Sequence, residues 1–286
     1  MAAAVEPLIV YPLKLSHEDR VILCECKKLE NHLLKQLNHN QTEASTLVDE
    51  ITSLVREHNT VSLWSAAEER KAPHLVNVML QSVDPSERVR FIQIQAGGAV
   101  GLFTIAIYHL ETYRQILQSL SSDDERLQLL EMKDSLGGTI LHAAAHNYAT
   151  EIVQVILESV SEEMRYTLLS MEGNRKRTPI HITRWRRDSE LLETMMRLIT
   201  EEMRYKLLQL PDGYGYTPLH VSALWGHTQD IRVIADSVSS KQLIHLLRIT
   251  DDKRRTPPQL AALRHQQAAA ELLQEYQTKA LIDVAL

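Results

Sequence analysis

Glycine is scarce in this chain, with nine in 286 residues, and eight methionines stand beside abundant leucine. That balance favours helices. Cysteine is scarcer still. Cys24 and Cys26 lie one residue apart. On the helix predicted there they point to different faces, which suits neither a disulfide nor a zinc site. A reducing, intracellular (cytoplasmic) setting is expected. No apolar run reaches the roughly 18 residues needed to span a bilayer. The start has only the short apolar run Pro7 to Tyr11 and no basic head, so no secretory signal is expected. The net charge of −6 argues against a whole-protein affinity for nucleic acid or acidic membrane. Phosphate-loop, nucleophile-elbow, His-Glu-x-x-His and kinase signatures are all missing. No Gly/Ser-rich or Pro-rich linker marks a flexible boundary.

What is present is a repeated phrase. Thr139-Ile-Leu-His142, Thr178-Pro-Ile-His181 and Thr217-Pro-Leu-His220 are followed by Thr256-Pro-Pro-Gln259. The starts at 139, 178, 217 and 256 differ by 39 each time. Earlier steps of the same size land on Val100-Gly-Leu-Phe103 and Val61-Ser-Leu-Trp64. Such self-similarity is the signature of stacked repeats.

One unit can be read from its chemistry. Thr caps a helix, and Pro at the next position needs no amide partner. Small residues such as Ser222 and Ala223 let neighbouring helices approach, and Gly226-His227 closes the helix. A second helix is apolar on one face, at Ile152, Val153, Val155 and Ile156 in one unit and Leu191, Leu192, Met195 and Met196 in the next. A third short helix is predicted from Ser161-Glu-Glu-Met-Arg-Tyr-Thr-Leu-Leu169 and Thr200-Glu-Glu-Met-Arg-Tyr-Lys-Leu-Leu208. Looser copies begin at Ser122 and Ser239. Each combines a hydroxyl cap, an early polar turn and a Leu-Leu pair. Turns such as Asp134-Ser-Leu-Gly-Gly138 and Asp212-Gly-Tyr-Gly215 separate the units.

The stretch Asp212-Gly-Tyr-Gly-Tyr-Thr-Pro-Leu-His-Val-Ser-Ala-Leu-Trp-Gly-His227 resembles the ankyrin repeat almost position for position. Asp134 to Ala145, Gly173 to Thr183 and Asp251 to Ala262 are further matches, so the resemblance covers roughly residues 60 to 275. It implies an all-α ankyrin-type solenoid of five to six repeats, over 60–286, starting near 61, 100, 139, 178, 217 and 256. The family's usual unit is about 33 residues; the six extra are assigned to the added third helix. HEAT-type helical pairs, with a period of about 40, are the alternative, but they leave the Asp-x-x-Gly-x-Thr-Pro-Leu-His turn unexplained. Polar drift at Gln259, Gln266, Gln267, Gln274 and Gln277 suits a C-terminal cap. Residues 1–59 read as a helical extension, Ser16 to Leu37 and Thr42 to Glu57, either capping the array or serving as a coiled-coil segment.

His142, His181 and His220 recur in consecutive units about 10 Å apart, one helix diameter. Metal ligands must converge to about 2 Å of one point, so these histidines are expected in the turn network instead. Glu162-Glu163 and Glu201-Glu202 are explained by first-turn dipoles rather than acid/base chemistry. Thr178 and Thr256, each in an Arg-Thr-Pro context, are read as caps rather than phosphorylation sites. No catalytic residue, cofactor, metal or small-molecule substrate is expected.

In ankyrin arrays the residues three and one before the Thr, and seven and eight after it, face partners. The resemblance therefore implies Leu136, Gly138, His146 and Asn147, then Arg175, Arg177, Trp185 and Arg186. The next units add Tyr214, Tyr216, Leu224 and Trp225, then Lys253, Arg255, Leu263 and Arg264. Trp, Tyr and Arg dominate interface hot spots. The runs Arg175-Lys-Arg177, Arg184-Trp-Arg-Arg187 and Lys253-Arg-Arg255 make this face basic on a chain of net negative charge. The expected partner is an acidic protein or peptide, bound by Arg175, Arg177, Trp185, Arg186, Tyr214, Tyr216, Trp225, Lys253, Arg255 and Arg264. Nucleic acid, anionic lipid (a phosphoinositide), or a catalytic part elsewhere in a larger effector are the rival readings.

Overall fold

The computed structural model describes residues 88–95, 99–182 and 189–285. The proposed N-terminal extension and the Val61 copy lie outside these residues, as do Trp185 and Arg186. Every regular element described is helical, and none of these helices is long and apolar enough to cross a membrane. The chain divides into two compact units, Met1–Ser121 and Ser122–Leu286.

In the first unit, α1 (Arg88–Gln95), α2 (Ala99–Tyr108) and α3 (Leu110–Ser119) bury Ile92, Leu102, Phe103, Ile116 and Leu117. Helix α2 packs on α3. The Arg88 guanidinium donates to the Ser119 carbonyl at 2.8 Å, satisfying an acceptor that α3 leaves open at its end.

The second unit opens with α4 (Asp123–Leu130) and then repeats one three-helix pattern. The first set is α5 (Ile140–His146), α6 (Thr150–Glu158) and α7 (Glu162–Ser170). The second is α8 (Pro179–Ile182), α9 (Glu190–Arg197) and α10 (Glu201–Leu208). The third is α11 (Pro218–Trp225), α12 (Thr228–Asp236) and α13 (Ser240–Arg248). It closes on α14 (Pro257–Leu263) and α15 (Gln267–Ala285). Equivalent helices pack side by side: α5 on α8, α8 on α11 and α11 on α14; α6 on α9 and α9 on α12; α4 on α7 and α7 on α10.

Local chemistry explains the pattern. Ser122 caps α4 in a reciprocal box with Glu125, and Ser239 caps α13 in the same way with Gln242. Thr200 accepts the Met203 amide at the start of α10. The Leu-Leu pairs 129/130, 168/169, 207/208 and 246/247 are all buried. Each such leucine contributes about 1.5–3 kcal/mol by leaving water. The second helices bury the expected Ile152, Val153, Val155 and Ile156, then Leu191, Leu192, Met195 and Met196.

Two arginines fasten the second helices together. Arg165 Nε donates to the Leu157 carbonyl at 2.6 Å, and its Nη1 donates to the Leu198 carbonyl of the following set at 2.9 Å. Arg204 repeats this one period later, from Nε to Met196 at 2.6 Å and from Nη1 to Ser237 at 3.5 Å. A cation at paired helix C-termini meets both orphan carbonyls and the negative dipole end. The next residue in register is Leu243, which is buried. Its neighbour α15 runs unbroken for 19 residues, so no helix end is there to be capped. Thr278, in register with the caps Ser161, Thr200 and Ser239, instead donates to the Gln274 carbonyl inside that helix. The outer face of α15 exposes Glu271, Gln274, Glu275, Thr278 and Lys279.

Candidate binding face on the turns and first helices

Four turns at the starts of α5, α8, α11 and α14 build the candidate site. In three of them an aspartate organises the loop. Asp134 Oδ1 accepts the amides of Leu136 and Gly138, both at 2.8 Å. Asp212 Oδ1 accepts those of Tyr214 and Tyr216 at 2.8 and 3.0 Å. Asp251 Oδ1 accepts those of Lys253 and Arg255, both at 2.9 Å. Burial raises the affinity of Asp251 for its proton. The bonds from the Arg255 side chain and from these two amides more than offset this, so its pKa falls below the ordinary carboxylate value.

At the base of the turns, threonine and histidine form a buried ladder. His142, His181 and His220 each accept at Nδ1 from the preceding Thr139, Thr178 or Thr217, whose hydroxyl lies 2.8 Å away. Their Nε2 atoms face the carbonyls of Arg177, Tyr216 and Arg255 in the following turn at 2.9–3.0 Å. Since a carbonyl only accepts, the proton sits on Nε2 and the rings are neutral. Desolvation lowers all three pKa values, that of His181 to about 4. With both nitrogens engaged in separate turns, these rings are structural pins, as the turn-network reading expected. In the fourth turn Gln259 Oε1 accepts the Thr256 amide at 3.0 Å in place of a histidine.

Adjacent turns are also joined by backbone. Gly213 N donates to the Arg175 carbonyl at 2.7 Å, and Asp252 N donates to the Tyr214 carbonyl at 3.5 Å. A Cβ on Gly213 would meet that Arg175 oxygen at 2.8 Å. One on Gly215, at φ +74°, would meet the Asp252 amide at 2.6 Å. The third turn therefore fits between its neighbours only with glycine at both places.

This construction sorts the sequence-derived residues. Arg177, Tyr216 and Arg255 turn inward. Arg177 Nε lies 3.3 Å from Asp212 Oδ2 of the next turn. Arg255 pairs with Asp251 and donates from Nη2 to the Tyr216 hydroxyl at 3.0 Å. The Tyr216 ring stacks on His220 at 6.1 Å and 24°. Arg175, Tyr214 and Lys253 stand exposed at the tips, with the Arg175 guanidinium 5.6 Å from the Tyr214 ring centre. Trp225 and Arg264 are exposed at the ends of the first helices, beside exposed Leu263.

Two tip cations that the sequence placed in the basic runs were not among the residues expected to bind. Lys176 and Arg254 occupy the register held by Gly137 and Gly215 in the alternate turns, and all four have positive φ, 55°, 58°, 80° and 74°. The signal that could have found them is a glycine register carrying lysine and arginine in two of four copies. An L-residue there costs roughly 1–2 kcal/mol, and both side chains are exposed. Neither a family model nor a curated protein matches this chain.

Proposed function

We propose that the chain is an ankyrin-type repeat array acting as a non-catalytic, intracellular protein-binding module, with its contact face on the turns and first helices from Arg175 to Arg264. The family reading is supported by the Asp-held turns, the Thr-capped first helices and the Thr–His pins recurring at 39-residue intervals. The observation that carries the binding reading is the tip composition. Exposed Arg175, Tyr214 and Lys253 on the turns and exposed Trp225, Leu263 and Arg264 at the ends of the first helices belong to a chain whose net charge is −6. Apolar rings with guanidinium forks are what desolvated hot spots are made of, and basic segregation selects an acidic partner. The buried histidines have both ring nitrogens committed to the turns, which supports a structural rather than a catalytic role for these three rings.

The test is a triple variant, Tyr214→Ala, Trp225→Ala and Arg264→Ala, used in crosslinking capture from the native cell. Capture should fall while the far-ultraviolet circular dichroism stays unchanged. Recovery of the same partners would sink the assigned face. Nucleic-acid or phosphoinositide binding would instead show affinity falling by roughly 10³ or more between 50 and 200 mM salt.

A further inference from the structure

The tip cations are not spread evenly over the face. Arg175 and Lys176 are exposed on the second turn, and Lys253 and Arg254 on the fourth. The third turn between them, Gly213-Tyr-Gly-Tyr216, carries no charge, and its exposed ring is Tyr214. All three turns are held in one row by the Gly213–Arg175 and Asp252–Tyr214 backbone bonds.

Resting on the protein-binding reading of this face, we infer that the two cation pairs are clamps for one extended acidic peptide. One carboxylate cluster sits at Arg175 and Lys176, the other at Lys253 and Arg254, and an apolar side chain lies on Tyr214 between them. Lys176 and Arg254 give the ligand its spacing, because they replace the glycines of the alternate turns and so place charge only at every second unit. Units step by about one helix diameter, so the clamps stand about 20 Å apart. An extended chain rises about 3.3 Å per residue, so the two clusters are separated by about six residues. Charge complementarity selects carboxylates, and the discontinuity selects a peptide over a nucleic acid. A phosphate backbone carries charge at every step; it would have to cross the uncharged third turn.

The experiment uses the full chain and a fluorescently labelled synthetic peptide. Two Asp-Glu pairs, their centres about six residues apart, flank a Gly/Ser spacer with a central Phe. A second peptide of the same composition has its four carboxylates together, and an oligothymidine of equal length stands for nucleic acid. Anisotropy at moderate salt should rank the split peptide about tenfold tighter than either rival, the scale of removing paired rim charges. Lys176→Gly with Arg254→Gly should cost about tenfold in affinity for the split peptide without lowering the thermal midpoint, since glycine is the residue this register otherwise holds. Equal binding of the two peptides, unchanged affinity in the double variant, or tighter oligothymidine binding overturns the two-clamp ligand. If that happens while cellular capture still depends on Tyr214, Trp225 and Arg264, the binding face stands and only the ligand falls. If capture is indifferent as well, the face itself is wrong.

Discussion

At the base of the third turn Thr217 and His220 are fully buried and both ring nitrogens have partners, while three residues before that threonine Tyr214 stands 43% exposed. The second turn draws the same contrast more sharply. Thr178 and His181 are sealed, yet Arg175 and Lys176 at its tip hold left-handed backbone angles that glycine would adopt without strain. Bases are built for persistence and their polar groups are satisfied inside the protein. The tip of the second turn carries a conformational cost and directs charge outward.

The contrast can be broken from the base. His181→Leu keeps an apolar volume but takes the ring nitrogen from the buried Thr178 amide and hydroxyl, and leaves the Tyr216 carbonyl with the Asp212 amide alone. It should cost about 3 kcal/mol, read from urea unfolding at pH 7. A loss below about 1 kcal/mol would mean that water enters the base and the pins are ornamental.

Acid acts on the same groups more mildly. The folded pKa of His181, about 4, lies below the ordinary 6.5, so the unfolded chain takes up a proton that the folded one refuses. Stability is complete above pH 6.5 and declines as pH falls toward 4. Between pH 7 and 5, His181 accounts for about 2 kcal/mol, and His142 and His220 shift in the same direction. Wild type should lose urea midpoint over this range, and His181→Leu should lose less. Equal slopes in the two proteins would refute the assignment.

At the tips the sign reverses with the residue. Gly215→Ala should destabilise by about 1.5 kcal/mol, through positive φ and the close Asp252 amide. Lys176→Gly, in the same register, should stabilise by about 0.5 kcal/mol. Both are read as thermal midpoints. A destabilised Lys176→Gly would show that the lysine side chain supports the fold.

The repeating helices were legible because the sequence states each signal more than once: the Thr-Pro cap, the second-helix stripe, and the hydroxyl cap before a Leu-Leu pair. The continuity of α15 was not legible from Thr278, which looks like another cap. The difference lies one residue earlier. Val160 and Ile199 are buried and Val238 half-buried at the other helix breaks, and Gln277 supplies no such anchor. The candidate face was legible by position and not by orientation. Arg177 and Arg255 share the basic runs of Arg175 and Lys253, but whether a guanidinium points outward depends on Asp212 and Asp251, which only the folded turn brings near. Arg165 and Arg204 were hidden for a related reason. Their partners are backbone carbonyls, which have no letter in a sequence.

Those arginines have a consequence for how the chain can be cut. Arg165 and Arg204 reach forward to Leu198 and Ser237, Lys133 reaches forward to Glu172, and each histidine pin ends on the turn after its own. The donor sits in the earlier set and the acceptor in the later one. Among the described residues, the bonds that run backward are those of the Ser161, Gly213 and Asp252 amides, of Arg255 Nη2 to the Tyr216 hydroxyl and of the Tyr276 hydroxyl to Asp236. All lie at exposed or half-buried positions that water reaches. The array therefore has a grain. Removing a set from the C-terminal side strands buried donors in what remains, whereas removing one from the N-terminal side uncovers carbonyls, which tolerate loss of a partner better. Deletion series made from the two ends should not mirror each other, and an internal splice is best placed where a complete forward-reaching donor set is carried along.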